Sequence, residues 1–246
     1  MRKRSKLEVE IRNILSEELL ASLRNREASS LLYLFFRFCE IIKKHGKNRI
    51  RLNDLLRPRA NIFRLQSNWE KLSKGPNFRT IFEMDSGNYI QINSRFERHL
   101  GVICNKSRLY WDFMSSLFFK KEAFKGGIEG EIKKGVLLFN EGFYFECHEF
   151  LEEVWRKEKG REKEFLKGLI HVAVAFYHLE YENYKGTINY LRRSYKRLKE
   201  FEPLFMGVDI KNFLAELESY LKNLEKSGKH NLKFLKNAIP RIRLIE

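Results

Sequence analysis

The chain has 246 residues, enough for one large or two modest domains that each bury a hydrophobic core. Its composition, 43% hydrophobic and 33% charged, is ordinary for a soluble globular protein. The longest uninterrupted apolar run, Leu31–Phe36, is far too short to cross a bilayer, and the first ten residues lack the apolar core of a signal peptide.

The net charge of +16 is distributed unevenly along the chain. Residues 1–125 hold 26 Lys and Arg against 13 Asp and Glu, whereas residues 126–225 hold 16 against 18. The tail, residues 226–246, holds six against one. A basic N-terminal half and tail around a nearly neutral segment predict a polyanion-binding module joined to a second domain.

The three cysteines, Cys39, Cys104 and Cys147, are widely spaced and form no C-x-x-C motif. This pattern predicts neither a disulfide framework nor a zinc knuckle. A reducing cytoplasm is therefore the expected location.

Apolar periodicity and turn residues give the elements of the N-terminal half. In chain order they are helices over 7–24 and 30–44, a short strand over 49–52, a brief helix over 53–56, a helix over 59–74, hairpin strands over 78–84 and 89–93, and a helix over 94–121. Alternating apolar residues predict one buried face for the hairpin. Helix, short strand, helix, helix and hairpin is the order of a winged helix-turn-helix domain.

In such a domain the helix over 59–74 would be the recognition element. Arg and Asn side chains can form paired hydrogen bonds with base edges in the major groove, and flanking cations can contact the phosphates. The candidate contacts are Asn61, Arg64, Ser67, Asn68 and Lys71 on the helix, with Arg57, Arg59, Lys74 and Arg79 beside it. A winged-helix module used for protein contacts, or a basic surface without a nucleic-acid role, is the alternative.

Four glycines between Lys125 and Gly135 predict a boundary, and hence domains over 1–125 and 126–246. The second domain is predicted to be an antiparallel helical bundle with a basic tail. Its predicted helices cover 139–156, 165–181, 184–201 and 210–225, the last with Asp209 as its N-cap, followed by a tail extended from Ile239.

The run FNEGFYFECHEFLEEVWR, residues 139–156, carries the most informative polar pattern. On one helix, Glu152 and Trp155 would lie about 40° and about 20° to either side of His148. His171 and His178, seven residues apart in the apolar helix 165–181, would share a face. Because buried polar groups need partners, we expect one cluster from both helices. Its candidate members are Asn140, Glu146, His148, Glu149, Glu152, Trp155, His171 and His178.

Two interpretations of this cluster are open. It could be a hydrogen-bonded network that fixes the register of two helices, or a small-ligand or divalent-metal site at His148, Glu152, His171 and His178. The chain has no H-E-x-x-H motif and no E-x-x-H motif, so the zinc-protease and di-iron signatures are missing.

The same segment resembles the family called domain of unknown function 309, over about residues 126–225. The residues that match its pattern are Phe139, Asn140, Gly142, Tyr144, Phe145, Glu146, His148, Glu149, Leu151, Glu152, Trp155, Gly168, Leu169, Ile170, Ala173, His178, Asn183 and Gly186. His171 replaces the family's usual Gln, and Glu182 its usual Gly. The resemblance implies a small helical bundle with a shared polar cluster and no particular activity.

Together these patterns predict a mainly α protein with a winged-helix-like domain and a helical bundle. The favoured function is binding of nucleic acid, with DNA favoured over RNA. A transcriptional regulator has this organisation when its bundle senses a ligand or mediates assembly. The alternatives are a metal-binding protein or metal-dependent hydrolase, and a structural interaction module. We expect a binding protein rather than an enzyme, and we expect no interaction with a membrane. The sequence leaves open whether the protein forms homo-oligomers.

Overall fold

The computed structural model describes residues 5–25, 29–46, 48–56, 65–119, 126–227 and 238–245, without the side chains of residues 65–67, 118 and 119. They divide into two compact units, one within Arg4–Lys120 and one within Lys121–Glu246. The protein is mainly α-helical, as predicted. Among the described residues, no helix combines the length and apolar composition needed to cross a membrane.

The N-terminal unit combines helices with one small antiparallel sheet. Its elements are α1 (Lys6–Arg24), α2 (Ser29–His45), β1 (Arg49–Arg51), α3 (Leu52–Leu55), α4 (Leu65–Lys74), α5 (Pro76–Ile81), β2 (Phe82–Met84), β3 (Tyr89–Ile92), a 3-10 helix (Ser94–His99) and α6 (Leu100–Phe119). The strand order is β1-β3-β2, so the first strand pairs with the last strand of the hairpin.

Aromatic packing joins the sheet of this unit to its helices. The ring of Phe82 in β2 lies 5.1 Å from Phe35 and 4.9 Å from Phe38, both buried in α2. It also lies 5.1 Å from Phe78 in α5. Burial of such side chains is the main stabilising contribution to a small domain.

The prediction that the cysteines form no disulfide is wrong for two of them. Cys39 in α2 is bonded to Cys104 in α6, with the two Cα atoms 5.3 Å apart. Cys147 is free and buried. The sequence gives no sign of the bond because it depends on how α2 and α6 pack, across a separation of 65 residues.

The hairpin is shorter than predicted. Residues 78–81 belong to α5, which begins with Pro76 at its first position after Gly75. Proline is favoured there because its fixed φ suits a helix and the missing N–H has no intrahelical partner. Phe78 and Ile81, three residues apart, are both buried, whereas Met84 is 47% exposed, so the predicted alternation does not extend through this segment.

The C-terminal unit is a helical bundle with a two-stranded ribbon. Its elements are α7 (Gly127–Asn140), α8 (Tyr144–Lys157), α9 (Gly160–Glu180), α10 (Tyr184–Leu198), a 3-10 turn (Lys199–Phe201), β4 (Leu204–Phe205), β5 (Val208–Asp209) and α11 (Ile210–Ser227). The ring of Phe139 lies 5.5 Å from Phe176 in α9 and 6.4 Å from Phe213 in α11. The predicted cap of α11 is present, since Asp209 accepts a hydrogen bond from the backbone N–H of Asn212 at 3.1 Å.

The start of the bundle has two features that were not predicted, and the second contradicts the single helix expected over 139–156. The glycine-rich segment up to Gly135 is largely helical, and Gly135 lies against α8, where an added Cβ would come within 2.3 Å of Leu151. Residues 139–156 form two helices, because Gly142 with φ of +78° turns the chain between Asn140 and Tyr144. Asn140 is therefore on a different helix from His148.

The described part of the tail returns to the bundle. The side-chain amide of Asn140 donates to the Ile242 carbonyl at 2.8 Å, and its oxygen accepts from the Ile242 N–H at 2.9 Å. Val208 of β5 also forms a β-bridge with Leu244. The Asn140 position therefore holds backbone from the end of the chain.

Candidate functional site

The exposed edge of α8 carries a compact set of ligating side chains. His148 Nδ1 lies 3.2 Å from Glu149 Oε1, and His148 Nε2 lies 3.8 Å from Glu152 Oε2. One ligand atom from each of the three residues falls within 4.8 Å of the others. We call His148, Glu149 and Glu152 the α8 cluster. One imidazole nitrogen with two carboxylates is a donor set that Zn²⁺ or Mn²⁺ can accept.

The other predicted residues of α8 have different surroundings. Trp155 receives the Lys163 ammonium over its ring at 4.4 Å, and its indole N–H is buried without a hydrogen-bond partner among the described residues. Glu146 is buried, with 2% of its surface exposed. It lies beside Cys147, whose pKa is raised first by burial and then by the Glu146 charge. The Lys163 contact joins Trp155 to α9, and Glu146 lies inside the bundle.

The two α9 histidines meet one tyrosine of α10. The His178 ring stacks on Tyr190 with centroids 5.4 Å apart, and the His171 ring meets the same tyrosine edge-on at 5.5 Å. His178 Nδ1 also lies 3.0 Å from Asn183 Nδ2, while Asn183 Oδ1 accepts from the Gly186 N–H at the start of α10. His178 and Asn183 therefore join α9 to the first turn of α10.

The polar residues predicted to form one cluster therefore lie in separate groups, one on α8 and one between α9 and α10. The α8 cluster does not include His171 or His178, so the set His148, Glu152, His171 and His178 is not gathered around one point. Tyr190, which both α9 histidines contact, is absent from the predicted site. The seven-residue spacing indicates that the histidines share a face, but it does not identify the residue of another helix that this face meets.

His171 lies in positively charged surroundings. Its pKa is lowered first by burial, and then by the charges of Lys167 and Arg193. The pKa of His178 is lowered by burial. Both effects favour neutral imidazoles at neutral pH.

Only part of the predicted nucleic-acid surface can be located. Arg57, Arg59, Asn61, Arg64 and the side chain of Ser67 lie outside the described residues. Of the remaining four, Lys71, Lys74 and Arg79 are exposed and Asn68 is half-buried. The Lys74 ammonium is paired with Glu70 at 2.5 Å.

A second basic feature of the N-terminal unit was not predicted. A cavity of about 660 Å³ lies between α2 and the exposed face of β1 and β3. The guanidinium carbons of Arg49 and Arg51 lie 4.2 and 5.4 Å from the Tyr89 ring centre, and Arg51 Nε donates to the Tyr89 hydroxyl at 2.7 Å. Arg37 and Lys44 also line it, together with two carboxylates, Glu40 and Asp54. Its sequence signal was the R-I-R of β1, whose alternate residues share the exposed face.

Two relatives and one family model match parts of this chain. YpuF, an uncharacterized protein of Bacillus subtilis (strain 168), is 32% identical over 85 residues, covering 33% of this chain and 49% of that protein. An uncharacterized protein of Aquifex aeolicus (strain VF5) is 28% identical over 104 residues, covering 42% of this chain and 31% of its own length. The chain therefore spans less than half the length of each of these relatives. Residues 132–190 match the model of a domain of unknown function, DUF309, which confirms the resemblance seen in the C-terminal half.

Proposed function

We propose that the N-terminal unit is a winged-helix domain that binds nucleic acid, DNA in preference to RNA, and that the bundle serves it as a ligand-sensing or assembly domain. The carrying observation is the order of the elements. Helices α3 to α5 lie between β1 and a hairpin whose last strand pairs with β1. In winged-helix proteins the same arrangement presents a helix to the major groove and the hairpin to the backbone.

Charge supports this proposal. The +13 of residues 1–125 supplies the attraction to phosphates that dominates non-specific affinity. The described cations Lys71, Lys74 and Arg79 are exposed on α4 and α5, the two helices that precede the hairpin. Arg49, Arg51 and Tyr89 add a cation and aromatic surface on the sheet, of the kind that contacts phosphates and stacks on bases. The proposed role places the protein in the cytoplasm, with its nucleic acid.

The test is the salt dependence of duplex DNA binding by the whole chain. We expect log K to fall steeply with log salt concentration, and the triple variant Lys71→Gln, Lys74→Gln, Arg79→Gln to lower the slope by about one for each phosphate contact removed. Fluorescence anisotropy at several salt concentrations measures both quantities. Lys211→Gln, an exposed lysine of the bundle, is the control and should leave the slope unchanged.

Affinity that does not depend on salt, or a triple variant that behaves like the control, would contradict the proposal. The basic unit would then be assigned to protein contacts. A single-stranded RNA of equal length, titrated in parallel, tests the preference for DNA.

The α8 cluster favours a second candidate function, divalent-metal binding by the bundle, with metal-assisted hydrolysis as its catalytic form. The supporting observation is that three ligand atoms lie within 4.8 Å of one another on one helix edge. Three protein ligands leave coordination positions for water or substrate, as catalytic zinc sites do.

Zn²⁺ or Mn²⁺ at about 100 times its Kd should raise the free energy of unfolding of the bundle by about 2.7 kcal/mol. Glu152→Gln should remove this effect, whereas Glu158→Gln near the end of α8 should retain it. Thermal unfolding with chelator and then with metal measures the difference. Equal metal responses in the two variants would assign the cluster to helix packing alone.

A further inference from the structure

The bundle has a basic cleft between α9 and α10 that is distinct from the α8 cluster. Its volume is about 510 Å³, within the range of small-molecule sites, about 300–1,000 Å³. Lys167 and His171 line it from α9, and Arg193, Lys196 and Arg197 line it from α10. We call it the α9–α10 cleft.

Close packing of α9 against α10 determines the shape of the cleft. Gly168 lies against α10, where an added Cβ would come within 2.6 Å of Leu198. Arg197 is paired with Glu164 across the cleft, which ties the two walls together. The positions of the remaining cations are therefore set by two rigid helices.

The cleft holds four cations, Lys167, Arg193, Lys196 and Arg197, against two carboxylates, Glu164 and Glu200, so half of its positive charge is uncompensated. Glu200 is the second carboxylate at the rim, and within the described part of the chain neither Lys167 nor Lys196 is paired with a carboxylate. Residues 126–225 carry a net charge of −2, so this accumulation of cations is local. Like charges held together repel one another, and an anion between them would remove that repulsion.

The His171 ring supplies a second observation. Its Nδ1 is buried without a hydrogen-bond partner among the described residues, although buried polar atoms are almost always paired. Tyr190, edge-on to this ring, also lies 5.7 Å from the Arg193 guanidinium carbon, a contact that helps to position this cation at the cleft. Arginine and lysine together suit phosphate oxygens, the guanidinium by paired hydrogen bonds and the ammonium as a compact charge.

We propose that the α9–α10 cleft binds the phosphate group of a small ligand, with Lys167, Arg193 and Lys196 contacting the phosphate oxygens and His171 lying beside them. This site does not depend on DNA binding by the N-terminal unit. It gives the bundle a ligand class, a phosphate ester or free phosphate, that the bundle can sense.

The N-terminal unit is itself basic and can also bind phosphate compounds. The test therefore needs a signal from a residue inside the α9–α10 cleft. The whole chain, labelled with ¹³C at histidine Cε1, is titrated with inorganic phosphate, ribose 5-phosphate and AMP at constant ionic strength. His171→Gln assigns the His171 signal. We expect that signal to shift and saturate while the signal of His148 on α8 stays in place. Equal binding of AMP and ribose 5-phosphate would assign recognition to the phosphate alone, and tighter binding of AMP would show that the ligand's base is also contacted.

The double variant Lys167→Gln, Arg193→Gln should weaken phosphate binding by about tenfold or more, as expected for lost hydrogen bonds to a charged group. Lys196→Glu, a change at an exposed position, should have a similar effect. Lys211→Gln, which makes the same charge change as Lys167→Gln outside the cleft, should bind as the wild type does. A shift that does not saturate, or one that persists unchanged in both cleft variants, would overturn the proposal. Displacement of the small ligand by duplex DNA at His171 would also overturn it, because the cleft would then belong to the nucleic-acid surface.

Discussion

Opening the Cys39–Cys104 disulfide is expected to lower the free energy of unfolding of the N-terminal unit by about 4 kcal/mol. The bond spans 65 residues, and a cross-link of that length removes much of the conformational entropy of the unfolded chain. The comparison is between the wild type and the double variant Cys39→Ser, Cys104→Ser in urea, without reductant. Both proteins carry Trp155→Phe, so that Trp69 and Trp111 alone report unfolding of this unit.

Reductant should destabilise the wild type to the level of the double variant and leave the double variant unchanged. Equal stability of the two proteins under oxidising conditions, with three titratable thiols in the wild type, would refute the expectation. The result also bears on location. Glutathione keeps most cytoplasmic thiols reduced, so a unit that needs this bond for its stability would be poorly suited to the proposed cytoplasmic role.

Replacing Glu18 by Gln is expected to stabilise the N-terminal unit by up to about 3 kcal/mol above pH 7. Burial, the largest cause, raises the pKa of Glu18 from its ordinary 4.5 to about 7, against the lowering effect of a hydrogen bond from Asn77. Between these values the folded state holds a proton that the unfolded state has released. Stability from this group is therefore complete below pH 4.5 and is lost as the pH rises through 7.

The glutamine can keep the bond in which Glu18 Oε1 accepts from Asn77 Nδ2 at 2.6 Å. The two proteins should therefore be about equally stable at pH 4.5 and should diverge as the pH rises. Denaturant unfolding at several pH values follows this divergence, with Asp112→Asn, a change at an exposed carboxylate of the same unit, as the control. A difference that is the same at every pH would contradict the assigned pKa.

Patterns within one helix could be read from the sequence. The four-residue spacing of His148 and Glu152 and the seven-residue spacing of His171 and His178 gave their shared faces correctly, because helix geometry alone determines them. The family resemblance and the mainly α bundle were also accessible, since both depend on local motifs and periodicity.

Features that depend on packing between elements were not accessible. Gly135 was interpreted as the end of a glycine-rich boundary, yet it lies within α7, at a position where Leu151 of the next helix leaves no room for a side chain. The Cys39–Cys104 bond and the contact of both α9 histidines with Tyr190 likewise depend on helix placement. Asn140 was assigned to the polar cluster by its position in the motif, whereas its partner is 102 residues away.

The contact of Asn140 with Ile242 shows that the folding unit extends beyond the segment that matches the family model. The family match ends at residue 190, within α10, whereas Phe139 and Phe176 pack on Phe213 and Tyr220 of α11. A fragment cut at the ends of the match would expose these rings and leave the Asn140 amide without the Ile242 backbone. Contacts between residues so far apart along the chain also raise the contact order of the bundle. Its closure should therefore wait until Ile242 has been synthesised.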